Sequence, residues 1–265
     1  MIINTEIVDA YLNGEDINPY ASMFIYNQGD RNIFQGPKKD KVEVVSNIKD
    51  EIINHVKDFV PCNKRIWDTL FKDWQNDLDD IVLDLVVGCK EPNDAFVLKD
   101  LNGRHHMIFD LLCWEKYVGK ISLSKLSQNL LTHELFHVLI GKYYTDIEKS
   151  EQFGNYINKL DAISFNEGFA HLVSYNQQEI NSVEWEKLED IYIQSINKMK
   201  LALMETNPQS QEQYIYEANF GNYYDKYACM CVAERLWKGD LPVLKTAFQR
   251  HVIISPSIKP QCASQ

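Results

Sequence analysis

Long hydrophobic runs are absent from this sequence. It has no stretch of about 18 consecutive apolar residues, which is the length that spans a bilayer. Its first residues, MIINTEIVDAYLNGED, lack the basic segment and the apolar stretch of a secretory signal peptide. These absences predict a soluble protein that does not bind membranes. We expect it in the cytoplasm, and export by a route that needs no signal peptide remains open.

Clusters of positive charge are also absent. The chain has 27 Lys and Arg against 38 Asp and Glu, so its formal net charge is −11. The densest basic positions are only the pairs Lys38-Lys39 and Lys64-Arg65. Proteins that bind nucleic acid present a concentrated basic surface to the phosphates. We therefore expect no nucleic-acid partner.

The sequence has no Cys-x-x-Cys pair, no repeat and no low-complexity linker. Its 265 residues, 45% of them hydrophobic, can bury a core that needs no disulfides, so we expect reduced and mostly buried thiols. Cys229 and Cys231 would diverge by about 200° on a helix and could not easily bind one metal ion. We expect a single domain over residues 1–265, with two closely packed lobes at 1–122 and 123–265 as the other possibility.

The hydrophobic pattern predicts a sheet in the N-terminal half and helices in the C-terminal half. IVLDLVV from Ile81 is short, apolar and rich in β-branched residues, and Asn102-Gly103 between two apolar segments indicates a hairpin. We expect a small, largely antiparallel sheet, which gives an α+β fold class. The expected strands are 81–87, 94–99 and 104–110. We expect a first helix that begins at Ser46 and is ended by Pro61, and a second around 67–74. The other expected helices are 124–143, 166–178, 182–204, 221–237 and 241–250.

One motif carries metal chemistry. His133-Glu134-Leu135-Phe136-His137 lies in a strongly helical pattern, so the two histidines stand one turn apart on one face and can bind one zinc ion. Glu134 points to the side of that pair and can take a proton from water. The alternative is that the histidines belong to a buried polar cluster that binds no metal.

A catalytic zinc ion needs three protein ligands, so a third must lie elsewhere. The metzincin pattern requires Gly at 140 and His at 143, but the chain has Ile140 and Tyr143, which excludes that class. Downstream, Asn166-Glu167-Gly168-Phe169-Ala170-His171 resembles the N-E-x-x-A helix of gluzincin metallopeptidases. The other interpretation of Glu167 is an exposed carboxylate in the first turn of a helix, where the helix dipole favours it.

The resemblance to gluzincins is confined to about residues 126–175. It implies a zincin-like fold with the active-site helix between the sheet and the helical half. It further implies Zn²⁺ bound by His133, His137 and Glu167, with Glu134 as general base and a peptide or protein as substrate. The longer gap between the two motifs, and His171 where thermolysin-like enzymes carry Asp, point to another bacterial branch of the gluzincins.

Supporting catalytic residues are less clearly marked. His171 lies on the same helical face as Glu167 and could orient a ligand or donate a hydrogen bond to the oxyanion, or it could be a core histidine. Tyr223 and Tyr224 are candidates for the same oxyanion donor, although tyrosines here could simply pack. Either hairpin strand could bind a peptide by strand addition. We interpret the acidic residues as a solvated face: Asp73, Asp77, Asp79, Asp80 and Asp84.

The sequence thus predicts a zinc-dependent hydrolase, most simply a metallopeptidase. Two alternatives remain. One is a binding or regulatory protein on a gluzincin scaffold whose metal is structural or absent. The other is a zinc hydrolase that acts on non-peptide amides or esters. The substrate and the oligomeric state are left undetermined.

Overall fold

A computed structural model describes residues 1–28, 31–37, 41–174 and 197–220, in which helices combine with a small sheet. The chain divides into two compact units. The first comprises Met1–Pro61 and Asp73–Val138, and the second comprises Cys62–Lys72 and the described residues from Leu139 onward. No helix in these described ranges is long and apolar enough to cross a membrane.

The helices and strands have the following bounds. The strands are β1 (Ile2–Asn4), β2 (Asn27–Gln28), β3 (Arg31–Asn32), β4 (Val82–Val86), β5 (Ala95–Lys99) and β6 (His105–Asp110). The helices are α1 (Glu6–Leu12), α2 (Val42–Lys57), α3 (Lys64–Leu70), α4 (Leu123–Tyr143), α5 (Thr145–Phe153), α6 (Tyr156–Ser174) and α7 (Pro208–Phe220), and residues 197–204 are also helical. Short 3-10 helices connect several of these elements.

The main sheet of the first unit is mixed, so the prediction of a largely antiparallel sheet is wrong. Its order is β1-β4-β6-β5. β4 pairs in parallel with both β1 and β6, and only β5 runs antiparallel, to β6. All five residues of β4 are buried, as expected for a parallel strand covered on both faces. The unrecognised N-terminal strand β1 supplies one of the parallel pairings.

The predicted β5–β6 hairpin is confirmed. Gly103 has φ +80°, which a glycine adopts without strain. The Asp100 carboxylate accepts hydrogen bonds from the backbone N–H groups of Asn102 and Arg104, both at 2.8 Å. The hydrogen bond from the Arg104 N–H is the largest cause that lowers the pKa of Asp100, and the one from Asn102 lowers it further. The turn is therefore held by a local carboxylate as well as by the glycine.

Asp84 is not part of a solvated acidic face, so that interpretation is wrong for this residue. It lies buried in the middle of β4. Its carboxylate accepts a hydrogen bond from Asn4 Nδ2 at 2.7 Å and contacts His106 Nδ1 at 2.6 Å. In the strand register Asp84 lies opposite Asn4 on β1, and on β6 its carboxylate reaches His106, which lies opposite Val82. These polar contacts compensate for its burial.

Asp110, at the end of β6, organises the loops that follow β4 and β6. One carboxylate oxygen accepts the N–H of Cys89, and the other accepts the N–H groups of Leu112 and Cys113 at 2.9 and 3.0 Å. The residue is fully buried. Burial raises the pKa of Asp110 to about 6, although the three hydrogen bonds oppose that change.

This raised pKa predicts a pH-dependent stability. The folded chain binds the Asp110 proton more tightly than the unfolded chain, so this contribution to stability is complete below about pH 4 and is lost as the pH rises through about 6. We expect the free energy of unfolding of the native chain, relative to that of Asp110→Asn, to be smaller at pH 7.5 than at pH 5. Urea unfolding of both chains at the two pH values measures it. If the difference between the two chains does not change with pH, the pKa of Asp110 is not raised by folding.

Helix α2 begins four residues before the predicted start at Ser46. Val45 is fully buried and extends the buried stripe of Ile48 and Ile52 by one turn, so the packing continues the helix through the serine. The predicted helix near 67–74 is α3, which ends at Leu70 and is followed by a 3-10 helix, Trp74–Asp80.

The second unit is helical, as predicted, but its helices have different bounds. α6 begins at Tyr156, ten residues before the predicted start at 166, and neither α5 nor α7 was predicted. Leu160 and Ile163 of α6 pack with Ala202 and Ala218 in one cluster. The Tyr156 hydroxyl donates to the carbonyl oxygen of Ala202 at 2.7 Å. Residues 197–204 are helical within the predicted helix 182–204.

Candidate metal centre

Helix α4 holds the His-Glu-x-x-His motif, and its bounds agree with the predicted 124–143 within one residue. The residues around the motif are apolar and buried, which fixes the helix and restricts the access of water. His133 and Glu134 are themselves buried, with 7% and 5% of their surfaces exposed, whereas His137 is partly exposed. The buried apolar residues of this helix are Leu126, Leu131, Leu135, Phe136, Val138, Leu139 and Ile140.

The two imidazoles of the motif lie close together. His133 Nε2 and His137 Nε2 are 3.1 Å apart, and the ring planes are inclined by 81° with their centroids 4.7 Å apart. Two nitrogens bound tetrahedrally to one zinc ion at the usual 2.0–2.1 Å lie about 3.3 Å apart. The pair thus fits a zinc ion with little rearrangement.

Glu134 follows His133 by about 100° around the helix, so it cannot share the histidine face. Glu134 is buried, and the low dielectric of a buried position strengthens the interaction of its carboxylate with charges and with protons. This position suits a base that acts beside a metal site, and it does not suit a third ligand on the same helix.

Glu167 lies in the interior of α6, and His171 follows it by one turn, in the last turn of the helix. The His171 Nε2 and Glu167 Oε2 atoms are 3.8 Å apart, and the side chains are 19% and 13% exposed. The prediction that Glu167 stands at the start of a helix is wrong, because α6 extends three turns before it. The alternative of an exposed first-turn carboxylate is wrong for the same reason.

In the second unit, Glu167 and His171 offer a carboxylate oxygen and an imidazole nitrogen that could bind a metal ion, and in the first unit His133 offers another imidazole nitrogen. Imidazole nitrogens and a carboxylate oxygen are the donor types that zinc accepts in catalytic sites. These donor types therefore suit zinc. Tyr223 and Tyr224, predicted as oxyanion donors, lie outside the described residues, as do Cys229, Cys231 and the predicted helices 221–237 and 241–250.

Sequence reasoning missed Glu151, which lies on α5. Its Oε1 atom accepts a hydrogen bond from Asn166 Nδ2 at 2.8 Å, and Asn166 directly precedes Glu167. Burial raises the pKa of Glu151 to about 7; the charges of Glu167 and Glu148 add to the rise, and the Asn166 hydrogen bond and Lys159 oppose it. The sequence carried no signal for this contact, since α5 itself was not predicted.

The two hairpin strands differ in what they can bind. β6 lies between β4 and β5, so the expectation that residues 104–110 receive a peptide by strand addition is wrong. β5 is an edge of the main sheet and pairs with β6 alone among the described strands. The expectation for residues 94–99 thus stays a prediction, because an edge strand still presents backbone groups for pairing.

A mixed α/β chain with this histidine pair and these further nitrogen and carboxylate donors has the features of a zinc peptidase-like protein. A family model described as "Putative zinc dependent peptidase (DUF5700)" matches residues 46–231. The chain belongs to this family. The matched residues include all of α4 and α6. No curated protein and no solved structure matches the chain.

Proposed function

We propose that this chain is a zinc metallopeptidase of the gluzincin type. His133, His137 and Glu167 bind Zn²⁺, and Glu134 is the general base. The observation that carries the proposal is the 3.1 Å separation of the two Nε2 atoms on a buried helix, with a buried carboxylate at the next position. The family to which the chain belongs supports the same chemistry.

Glu167 is the proposed third ligand for two reasons. It lies in the interior of a helix, with most of its side chain buried, where a charged carboxylate needs a strong partner. It also occupies the ligand position of the N-E-x-x-A motif. His171 lies within 3.8 Å of its carboxylate and would orient it or donate a hydrogen bond to the developing oxyanion.

The bound zinc ion would polarise the scissile carbonyl and lower the pKa of the attacking water from about 16 toward about 7. Glu134 would accept the proton of that water and then deliver it to the leaving amine. The apolar packing of α4 would keep the carboxylate and both imidazoles in fixed positions during these transfers.

The substrate in this proposal is an extended peptide or protein segment. The edge strand β5 would pair with its backbone, since main-chain hydrogen bonds recognise a peptide whatever its side chains. Residues 1–265 would act as one zincin-like catalytic domain. A fold of this kind places the substrate between a sheet edge and the metal helix.

Metal content tests the proposal directly. We expect about one zinc ion per native chain, measured by elemental analysis on protein purified without chelators or affinity-tag metal. His137→Ala and Glu167→Ala each remove one of three ligands, so both should lose zinc on dialysis against a mild chelator that leaves the native chain loaded. His55→Ala is a matched control, because His55 lies on α2 and contacts α4 at Ser124, nine residues before His133.

The result also separates the alternatives. A native chain that takes up no zinc after reconstitution would overturn the proposal and favour a binding protein on this scaffold. Zinc retained by Glu167→Ala but lost by His171→Ala would move the third ligand to His171. Zinc binding without cleavage of a peptide library, but with cleavage of ester or amide substrates, would favour the non-peptide hydrolase.

A further inference from the structure

Helix α5 contacts both helices on which the proposed ligands lie. At one side, a Cβ atom added to Gly141 would stand 3.4 Å from the carboxyl carbon of Glu148, so the Glu148 side chain of α5 lies against the last turn of α4. Gly141 follows His137 by one helical turn. At the other side, Glu151 accepts the hydrogen bond of Asn166 on α6.

The second contact bears directly on Glu167. Asn166 is buried, and its side-chain amide bonds to a residue 15 positions earlier in the chain, on another helix. Such a bond fixes the rotation of α6 about its axis at the residue next to Glu167. It therefore restricts the direction in which the Glu167 carboxylate points, and a ligand that is already oriented loses less entropy when it binds metal.

From these contacts we infer that Glu151 is a positioning residue for the metal ligand Glu167, acting through the side chain of Asn166. The inference rests on the proposed function. Glu151 is not itself a ligand here; its role is to accept the hydrogen bond. A neutral acceptor of the same shape performs that role, so the charge of Glu151 is not required.

The test compares zinc affinities, measured by competition with a chromophoric chelator. Removing a group bonded directly to a metal ligand weakens metal binding by about 10- to 100-fold. Because Glu151 acts through Asn166, Glu151→Ala should weaken zinc binding by about tenfold, the lower end of that range. Glu151→Gln retains an acceptor oxygen and should bind zinc like the native chain. Gln152→Ala, an exposed position on the same helix, is the matched control and should also bind zinc like the native chain.

Two further measurements separate positioning from general damage to the fold. The cobalt(II) spectrum of Glu151→Ala should differ from that of the native chain, because the ligand geometry changes, while that of Glu151→Gln should not. Asn166→Ala should weaken zinc binding as Glu151→Ala does, and the double variant should be no weaker than either single one. If Glu151→Ala does not fold, the zinc affinity of Asn166→Ala is sufficient to test the inference.

Each contrary result has a distinct meaning. Native zinc affinity in Asn166→Ala, or a loss in Glu151→Gln as large as that in Glu151→Ala, would overturn the inference. If the native chain binds no zinc, the proposed function fails and this inference fails with it. If the native chain binds zinc, and Glu167→Ala loses it while both Glu151 variants bind normally, only the positioning role is wrong.

Discussion

Glu134→Gln is expected to lower peptide hydrolysis by a factor of about 100 to 10,000 while the chain keeps its zinc ion. Glutamine has the shape of glutamate but cannot accept the proton of the attacking water, and general-base catalysis contributes an effect of this size. Glu134 is buried, with 5% of its surface exposed. Steady-state kinetics and elemental analysis on the same preparation measure both properties.

The matched control is Glu43→Gln, which makes the same chemical change at an exposed position in the first turn of α2. It should leave kcat and zinc content unchanged. In the proposed function the metal ligands are unchanged by this substitution, so Glu134→Gln should lower kcat much more than it changes KM. Activity that survives in Glu134→Gln would show that another group is the base, and lost zinc would show that Glu134 is a ligand.

Asp110→Ala is expected to destabilise the first unit by about 3 kcal/mol. Three backbone N–H groups, those of Cys89, Leu112 and Cys113, would lose their acceptor, and each such group costs about 1–3 kcal/mol when it is buried without one. Relief of the buried charge, whose desolvation raises the pKa of Asp110 to about 6, offsets part of that cost.

Urea unfolding at pH 7.5 checks this value. Asp50→Ala, at an exposed position in α2, is the control and should change the free energy of unfolding by less than about 0.5 kcal/mol. If Asp110→Ala unfolds at the same urea concentration as the control, the hydrogen bonds of Asp110 do not contribute to stability. Zinc should be removed before the experiment, so that metal binding does not contribute to the measured difference.

The parts of the fold that the sequence predicted are those encoded by contacts close along the chain. The sequence around His133 and His137 predicted α4 almost to the residue, although nearly every residue around the motif is buried and not only those on one face. The β5–β6 hairpin was also predicted, because Gly103 and the Asp100 side chain form the turn locally. Neither prediction required knowledge of distant residues.

The sheet order was not predictable in this way. β4 is hydrogen-bonded to β1 and to β6, so its neighbours come from the start of the chain and from beyond the hairpin. Asp84 looked like one of several acidic surface residues because its partners, Asn4 and His106, are supplied by those two strands. The sequence of a strand says little about which distant strand it will pair with.

The sequence by itself determined the chemical types of the candidate site: two histidines one turn apart, a glutamate between them and a second motif downstream. Helix geometry alone brings His133 and His137 together, which is why a local pattern was sufficient. Only the tertiary structure decided that Glu167 lies in the interior of a helix and that Asn166 beside it bonds to Glu151. Those features depend on how α5 and α6 pack, and packing between helices is set by surfaces that no short motif records.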